Sequence, residues 1–292
     1  MHPAPSIIAF TTFSGMGFGL LIWLGLGFPA VTGWTAFGFF VLAFGMATGG
    51  LIASTLHLGN PQRALRAFSQ WRTSWLSREA ALSVAALMTM AAYGAGLIFL
   101  HQRLVLLGLI GAALCLATVF ATAMIYAQLR TVPRWHHWTT PALFVALSLS
   151  GGAALTGQPW LAGALILACG ALQALTWRLG DRRFAAGGTT LASATGLGRI
   201  GKVRSFAPPH TGSNYLLKEM VYRIGRKHGQ RLRLIALLLM SLIPAGLLWM
   251  APHPVASLAA LVSHAGGTLT ARWLFFAQAE HVVGLYYGAH QP

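Results

Sequence analysis

The chain has 292 residues, 56% hydrophobic and 8% charged, with a mean hydropathy of +0.65 and a formal net charge of +16. Soluble domains carry roughly a quarter charged residues, so this composition excludes an ordinary water-soluble fold. The excess of positive charge does not indicate nucleic acid, because the basic residues fall in connections between apolar runs, as membrane topology requires; anionic lipid or an acidic protein partner remains open.

Apolar runs of about 20 residues recur, each long enough to cross ~30 Å of hydrocarbon as a helix. They predict an all-α polytopic membrane protein, one membrane domain over 1–292, with eight transmembrane helices in a bundle of four hairpins. The expected spans are Ser6–Phe28, Gly33–Leu56, Glu79–Leu100, Leu104–Tyr126, Thr139–Thr156, Trp160–Trp177, Leu234–Met250 and Val255–Ala277. MHPAPS places no Lys or Arg ahead of the first run, whereas a cleavable leader needs a basic start, so the first run is expected to stay as a span. FPAVTGW, HQR, GQP and APHP read as tight connections. The other three connections are longer and basic, the longest covering 179–232.

Those three connections and their flanks hold eighteen of the twenty Lys and Arg residues; Arg103 alone marks the opposite side, and Arg272 falls inside the last span. This asymmetry predicts that the basic side is cytoplasmic. With eight spans both termini lie there too. Arg272 sits near the cytoplasmic end of its span, where snorkelling is expected.

The longest connection contains TGLGRIG, formally GxGxxG, but no strand precedes it and a dinucleotide reading fails. Further on, Leu216, Leu217, Met220, Val221 and Ile224 recur at helical spacing with Lys218, Arg223 and Arg226 off that face. This pattern suits an amphipathic helix on the membrane surface or against a partner. Gly15–Gly19 and Gly45–Gly49 have the spacing of close helix packing, and Pro244 inside span seven predicts a kink. A small-molecule transporter is the rival reading of a different class. Neither an internal repeat nor matched broken helices, the usual pointers to one, are present.

Candidate chemistry concentrates between spans two and three, in HLGNPQRALRAFSQWRTSWLSRE. His57 closes span two just before a Gly-Asn-Pro stop. It reads either as an interfacial histidine complementing the helix dipole or as a hydrogen-bond partner for a quinone carbonyl, with a pKa suited to proton exchange. Glu79, the only acid near this connection, reads as a first-turn acid following Ser77 or as a proton acceptor in quinol oxidation. Arg63, Arg66 and Arg72 suit interface anchors, with one of them a candidate for a quinone oxygen. Trp71, Trp75, Trp135 and Trp138 suit an aromatic belt, and Trp71 or Trp75 also suits a flat ring beside a quinone head group. The two cysteines, Cys115 and Cys169, lie in apolar runs without a CxxC, so no thiolate set for an iron–sulfur cluster or structural zinc is expected here. Haem needs two facing histidines; His57, His264 and His281 offer no convincing pair.

STLHLGNPQRA followed by LSRE resembles the signature of the membrane anchor subunits of dimethyl-sulfoxide-reductase-type molybdoenzymes. TVPRWHHWTTPALF, and the Arg272 region with its following aromatics, are similar to that family too, and the resemblance covers nearly the whole chain. It implies eight spans and a quinone, ubiquinone or menaquinone, bound beside the anchor, with His57 and Glu79 at the family's quinone-site positions. It implies no haem, molybdenum or iron–sulfur cluster on this chain. The partners implied are an iron–sulfur subunit and a molybdopterin catalytic subunit. The site residues expected on this basis are His57, Arg63, Trp71 and Glu79, with His57 and Glu79 passing protons. The family often has an acid four residues before its last-span arginine, and Thr268 stands there instead. A quinone stretch on the cytoplasmic face of a bacterial inner membrane looks more like the sulfite dehydrogenase branch than like exported dimethyl sulfoxide reductases.

Overall fold

A computed structural model describes residues 1–55, 60–207, 212, 214–221, 228–251 and 253–287, with the side chains of 61–64 outside the description. In order, the elements are α1 (Pro5–Leu26), α2 (Gly33–Thr55), a 3-10 segment (Pro61–Phe68), α3 (Trp75–Phe99), α4 (Val105–Ala127), α5 (Thr139–Leu155) and α6 (Pro159–Ala186). Two short helices follow, α7 (Leu191–Thr195) and α8 (Tyr215–Glu219). Next come α9 (Gly229–Leu237), a π-helical turn (Leu238–Leu242), α10 (Ile243–Met250), α11 (Pro254–Ala277) and a final 3-10 segment (Val282–Tyr287). Among the described residues there is no strand.

Six helices are long and apolar enough to cross a membrane: α1, α2, α3, α4, α6 and the continuous rod Gly229–Met250 that joins α9 to α10. The protein is therefore a multi-pass membrane protein. The expected fifth span falls on α5, a shorter apolar helix of 17 residues. The expected eighth falls on α11, which carries His264 and Arg272 in its interior. Helix ends also run past the apolar runs: α3 begins at Trp75, α6 continues to Ala186, and the rod begins at Gly229. Hydropathy marks where a helix meets oil, and strong helix formers such as Arg and Ala carry it further into water.

Local signals set several boundaries. Proline opens α1, α6 and α11, where a missing N–H costs nothing. Ser74 caps α3 by accepting from the Ser77 amide at 3.5 Å. Gly27 ends α1 in the left-handed conformation at φ 89°. The Leu26 carbonyl, left over at that end, accepts from Arg103 at 2.5 Å, which gives the lone cation of that side a structural task.

Helix α1 is the centre of the bundle and packs against α2, α4 and α5. Little hydrophobic force separates helix from lipid, so close backbone approach has to hold them together. A Cβ on Gly19 would strike the Ser148 backbone of α5, and one on Gly152 would strike Gly19 and Leu20. Ser148 donates to the Gly15 carbonyl at 2.6 Å and Trp23 to the Leu149 carbonyl at 2.9 Å. Of the four glycines at GxxxG spacing, only Gly19 takes part; Gly15, Gly45 and Gly49 face open space.

Ahead of Pro244, where the sequence predicts a kink, the rod carries the π turn. Proline has no N–H, so the Met240 carbonyl four residues back has no α-type donor. His264 of α11 donates its Nδ1–H to Met240 O at 2.6 Å, and Ser263 donates to Leu239 O at 2.8 Å. Because a carbonyl only accepts, this fixes the proton on Nδ1. Gly267 lets the α11 backbone lie directly on Leu239 and Met240. His264 is thus a helix-joining residue.

Candidate functional site

Several helix ends meet at the basic end of the bundle. Asp181, near the end of α6, accepts from Arg134 of the α4–α5 connection at 2.8 Å and from Arg233 of α9 at 2.6 and 2.7 Å. Arg233 also donates to Gln278, just past α11, at 2.8 Å and lies 5.4 Å from the Trp177 ring centroid. Burial pulls the Arg134 guanidinium below the ordinary arginine range, and its hydrogen bond to Asp181 offsets part of that. The Met1 amino group donates to Ala279 O at 2.9 Å, and Val282 N donates to Thr131 O at 3.0 Å. The N-terminus and the final 3-10 segment therefore gather at this end.

Glu79 is a buried acid of the helix bundle. It lies in the second turn of α3, where it is 5% exposed. Its Oε1 accepts a short hydrogen bond from the Thr122 hydroxyl of α4. Thr122 and Thr118 are one turn apart on the α4 face that meets α3, and Thr122 also reaches the Thr118 carbonyl at 3.1 Å. Tyr126, one turn further along α4, lies within electrostatic reach of both Glu79 and Arg272. A carboxyl in such a place has one hydroxyl partner and can hold or release a proton.

Arg272 does not snorkel. It is 2% exposed and turned inward, its guanidinium carbon 3.6 Å from the Phe144 ring centroid and 5.9 Å from that of Phe275. Among the described residues its Nε and one terminal nitrogen have no hydrogen-bond partner, and neither does the buried hydroxyl of Thr268 one turn earlier. Around it Tyr126, Trp135, Phe144, Phe275 and Phe276 form one aromatic cluster, with Trp135 stacked on Phe275 at 5.1 Å and 12°. The Trp135 indole donates to Phe275 O at 3.0 Å. Tyr126 joins this cluster to the Glu79 pair.

Of the four expected site residues, the structure describes the side chains of Glu79 and Trp71. Glu79 faces inward. Trp71 lies on the exposed rim at 58%, and its carbonyl accepts from Arg78 at 3.0 Å. Arg78 stands 4.3 Å from the centroid of Trp75, which meets Phe120 of α4 edge-on at 6.1 Å. Trp71 and Trp75 thus both flank the start of α3. His57 lies outside the described residues, as does the side chain of Arg63, whose backbone is in the 3-10 segment. Sequence reasoning missed Thr122 and Tyr126. The available signal was polar residues at helical spacing, Thr118, Thr122 and Tyr126, in an otherwise apolar α4.

Residues 2–162, which carry Glu79, Thr122 and Tyr126, match the DMSO reductase anchor subunit (DmsC) family. The chain belongs to that family. Over 98% of its length it is also 32% identical to a sulfite dehydrogenase subunit from Allochromatium vinosum, and the match covers 99% of that protein. No solved structure matches. As a member of this anchor-subunit family, the chain is the membrane anchor of an oxidoreductase and associates with its catalytic subunits. The family match stops in the first turn of α6; the rest of α6, with α9, α10 and α11, is covered by the relative from Allochromatium vinosum.

Proposed function

We propose that this anchor subunit is also where its complex meets quinone, and that the electrons come from sulfite oxidised to sulfate by a molybdopterin partner through an iron–sulfur subunit. The observation that carries the reading is Glu79: a carboxyl inside a bundle with four acidic residues in all, beside the connection that leads to the basic end. Quinone, when bound, takes up two electrons and two protons to become quinol. The residues suit such a substrate. Glu79 supplies a proton-exchanging oxygen at hydrocarbon depth, Thr122 orients it, and Trp71 and Trp75 give flat apolar rings at the rim. His57 stands as the second proton-exchanging group and hydrogen-bond donor, and Arg63 as the cation for a quinone oxygen.

The basic end is the cytoplasmic end in this reading. The chain spans a bacterial inner membrane eight times, with α5 and α11 completing the set, and the iron–sulfur subunit docks on the arginine-rich rim. Sulfite as electron donor rests on the name of the 32% identical relative. The family name supports the reverse flow, from quinol toward a reducible substrate.

Variants Glu79→Gln and His57→Gln of the whole complex test the site. Each is expected to lower quinone-coupled turnover by about a hundredfold or more, the range for losing a general acid–base group. Turnover with a soluble dye is expected to stay unchanged. Unchanged quinone coupling in both variants would place the site elsewhere. Supplying sulfite with oxidised quinone, or quinol with dimethyl sulfoxide, separates the two directions.

A further inference from the structure

One face of α6 carries a second surface, whose apolar part extends to Phe120 of α4. At its basic end a cleft of about 630 Å³ is lined by His137, Arg178, Arg182, Arg183, Leu175 and Leu179. Directly below lies an apolar groove of about 590 Å³, lined by Trp138, Pro141, Leu165, Ala168 and Leu172 among others. On α6 the positions 165, 168, 172, 175, 179, 182 and 186 recur at three- and four-residue intervals, so groove and cleft share one stripe. His137 belongs to the cleft and Trp138 to the groove, and their ring centroids are 5.4 Å apart. The two cavities therefore meet at the mouth of the α4–α5 connection.

The cleft's charge is not neutralised from within. Among the described residues Asp181 is the one carboxylate in its lining, and both its oxygens already accept from Arg134 or Arg233. Arg178, Arg182 and Arg183 line the same cleft. Guanidinium groups hold phosphate oxygens in a bidentate fork, and three together suit a phosphodiester. Leu172 and Arg178 are about 9 Å apart along the helix at 1.5 Å per residue, the span of a glycerol and its ester links.

We propose that this stripe is a binding site for an anionic glycerophospholipid, its phosphate among the three arginines and an acyl chain along the groove below. Hydrocarbon and negative charge are demanded at fixed depths on one surface, and an anionic lipid supplies both. An acidic protein would meet the arginines and leave the groove unfilled. Trp138, largely exposed, sits where indole rings favour the head-group boundary.

The test titrates the purified full-length chain in detergent with dioleoyl phosphatidylglycerol or dioleoyl phosphatidylcholine and counts retained lipid by native mass spectrometry. Wild type is expected to retain phosphatidylglycerol at least about fivefold more readily, since each basic residue near a charged lipid surface contributes on the order of 1 kcal/mol. The combined variant Arg178→Gln, Arg182→Gln, Arg183→Gln is expected to lose that preference, and the corresponding lysine variant to keep most of it. A second readout needs no substitution: phosphatidylglycerol with a photoreactive acyl chain should label wild-type peptides covering 165–172. Equal retention of the two lipids, a preference that survives the glutamine variant, or labelling only elsewhere would overturn the proposal. So would complete displacement by glycerol phosphate, which would mark a site for free phosphate, or binding only of an acidic protein.

Discussion

A guanidinium withdrawn from water is expensive, and Arg272 recovers part of that cost through the faces of Phe144 and Phe275 rather than through a carboxylate. A desolvated cation over a ring gains ~2 kcal/mol or more. The sequence places Arg272 near a span end and points to snorkelling, because a linear reading knows depth but not direction. The direction is set by α11 turning His264, Thr268 and Arg272, each four residues apart, toward the interior. His281 offers a titration at the same scale. Its Nδ1 accepts from the Val283 amide at 3.0 Å, which only a neutral ring nitrogen can do. Burial, and then the nearby N-terminal amino group, pull its pKa below the ordinary histidine value. The unfolded chain therefore takes up the proton first. The stability this residue provides is whole above about pH 6.5, the ordinary histidine value, and falls away as pH drops through the folded value. In thermal unfolding followed from pH 8 to pH 5, wild type is expected to lose more of its melting temperature below pH 6.5 than His281→Gln does.

At the scale of elements, the junction between the π turn and α11 is the most specific packing in the bundle. His264 and Ser263 take up the carbonyls of Met240 and Leu239 ahead of Pro244, and Gly267 allows the two backbones to touch. Removing the imidazole leaves Met240 O buried without a side-chain donor, which costs about 1–3 kcal/mol. His264→Leu is thus expected to lower the melting temperature measurably. Gly267→Leu, which forces the helices apart, is expected to lower it further, with both read by fluorescence unfolding in detergent. Pro244 and its irregularity were legible in the chain; the partner across the interface was not, because donors twenty-odd residues away are selected by packing. The same limit explains the α3–α4 pair. Glu79 stood out as a rare acid, whereas Thr122 looked like one of many hydroxyls able to bond its own helix. Helix ends were misjudged for a different reason, since the charged residues at the end of α6 look like a loop to hydropathy although they continue the helix.

For the whole molecule, the asymmetry of charge is the most readable property. It needs only counting, and the structure gathers Arg134, Arg233, the N-terminus and the final 3-10 segment at one end. Proposed as cytoplasmic, this end makes a direct expectation for intact cells. Single cysteines introduced at Ile200 or Phe206, both exposed, should react with a membrane-impermeant thiol reagent only after lysis. One at exposed Gln102, beside Arg103, should react from outside; the opposite pattern would invert the topology. Both native thiols, Cys115 and Cys169, are buried and leave the background low.

The burial of α1 has a consequence for how the chain is made. The helix nearest the N-terminus is the one its neighbours enclose most fully, and the notch at Gly19 is filled by Gly152 and Ser148, more than 120 residues later. In the proposed eight-span topology that notch is filled only once α5 has entered the bilayer. A nascent chain halted before α5 would present it unfilled to quality-control proteases, so the assembly of this protein is committed late, when its fifth helix seats against its first.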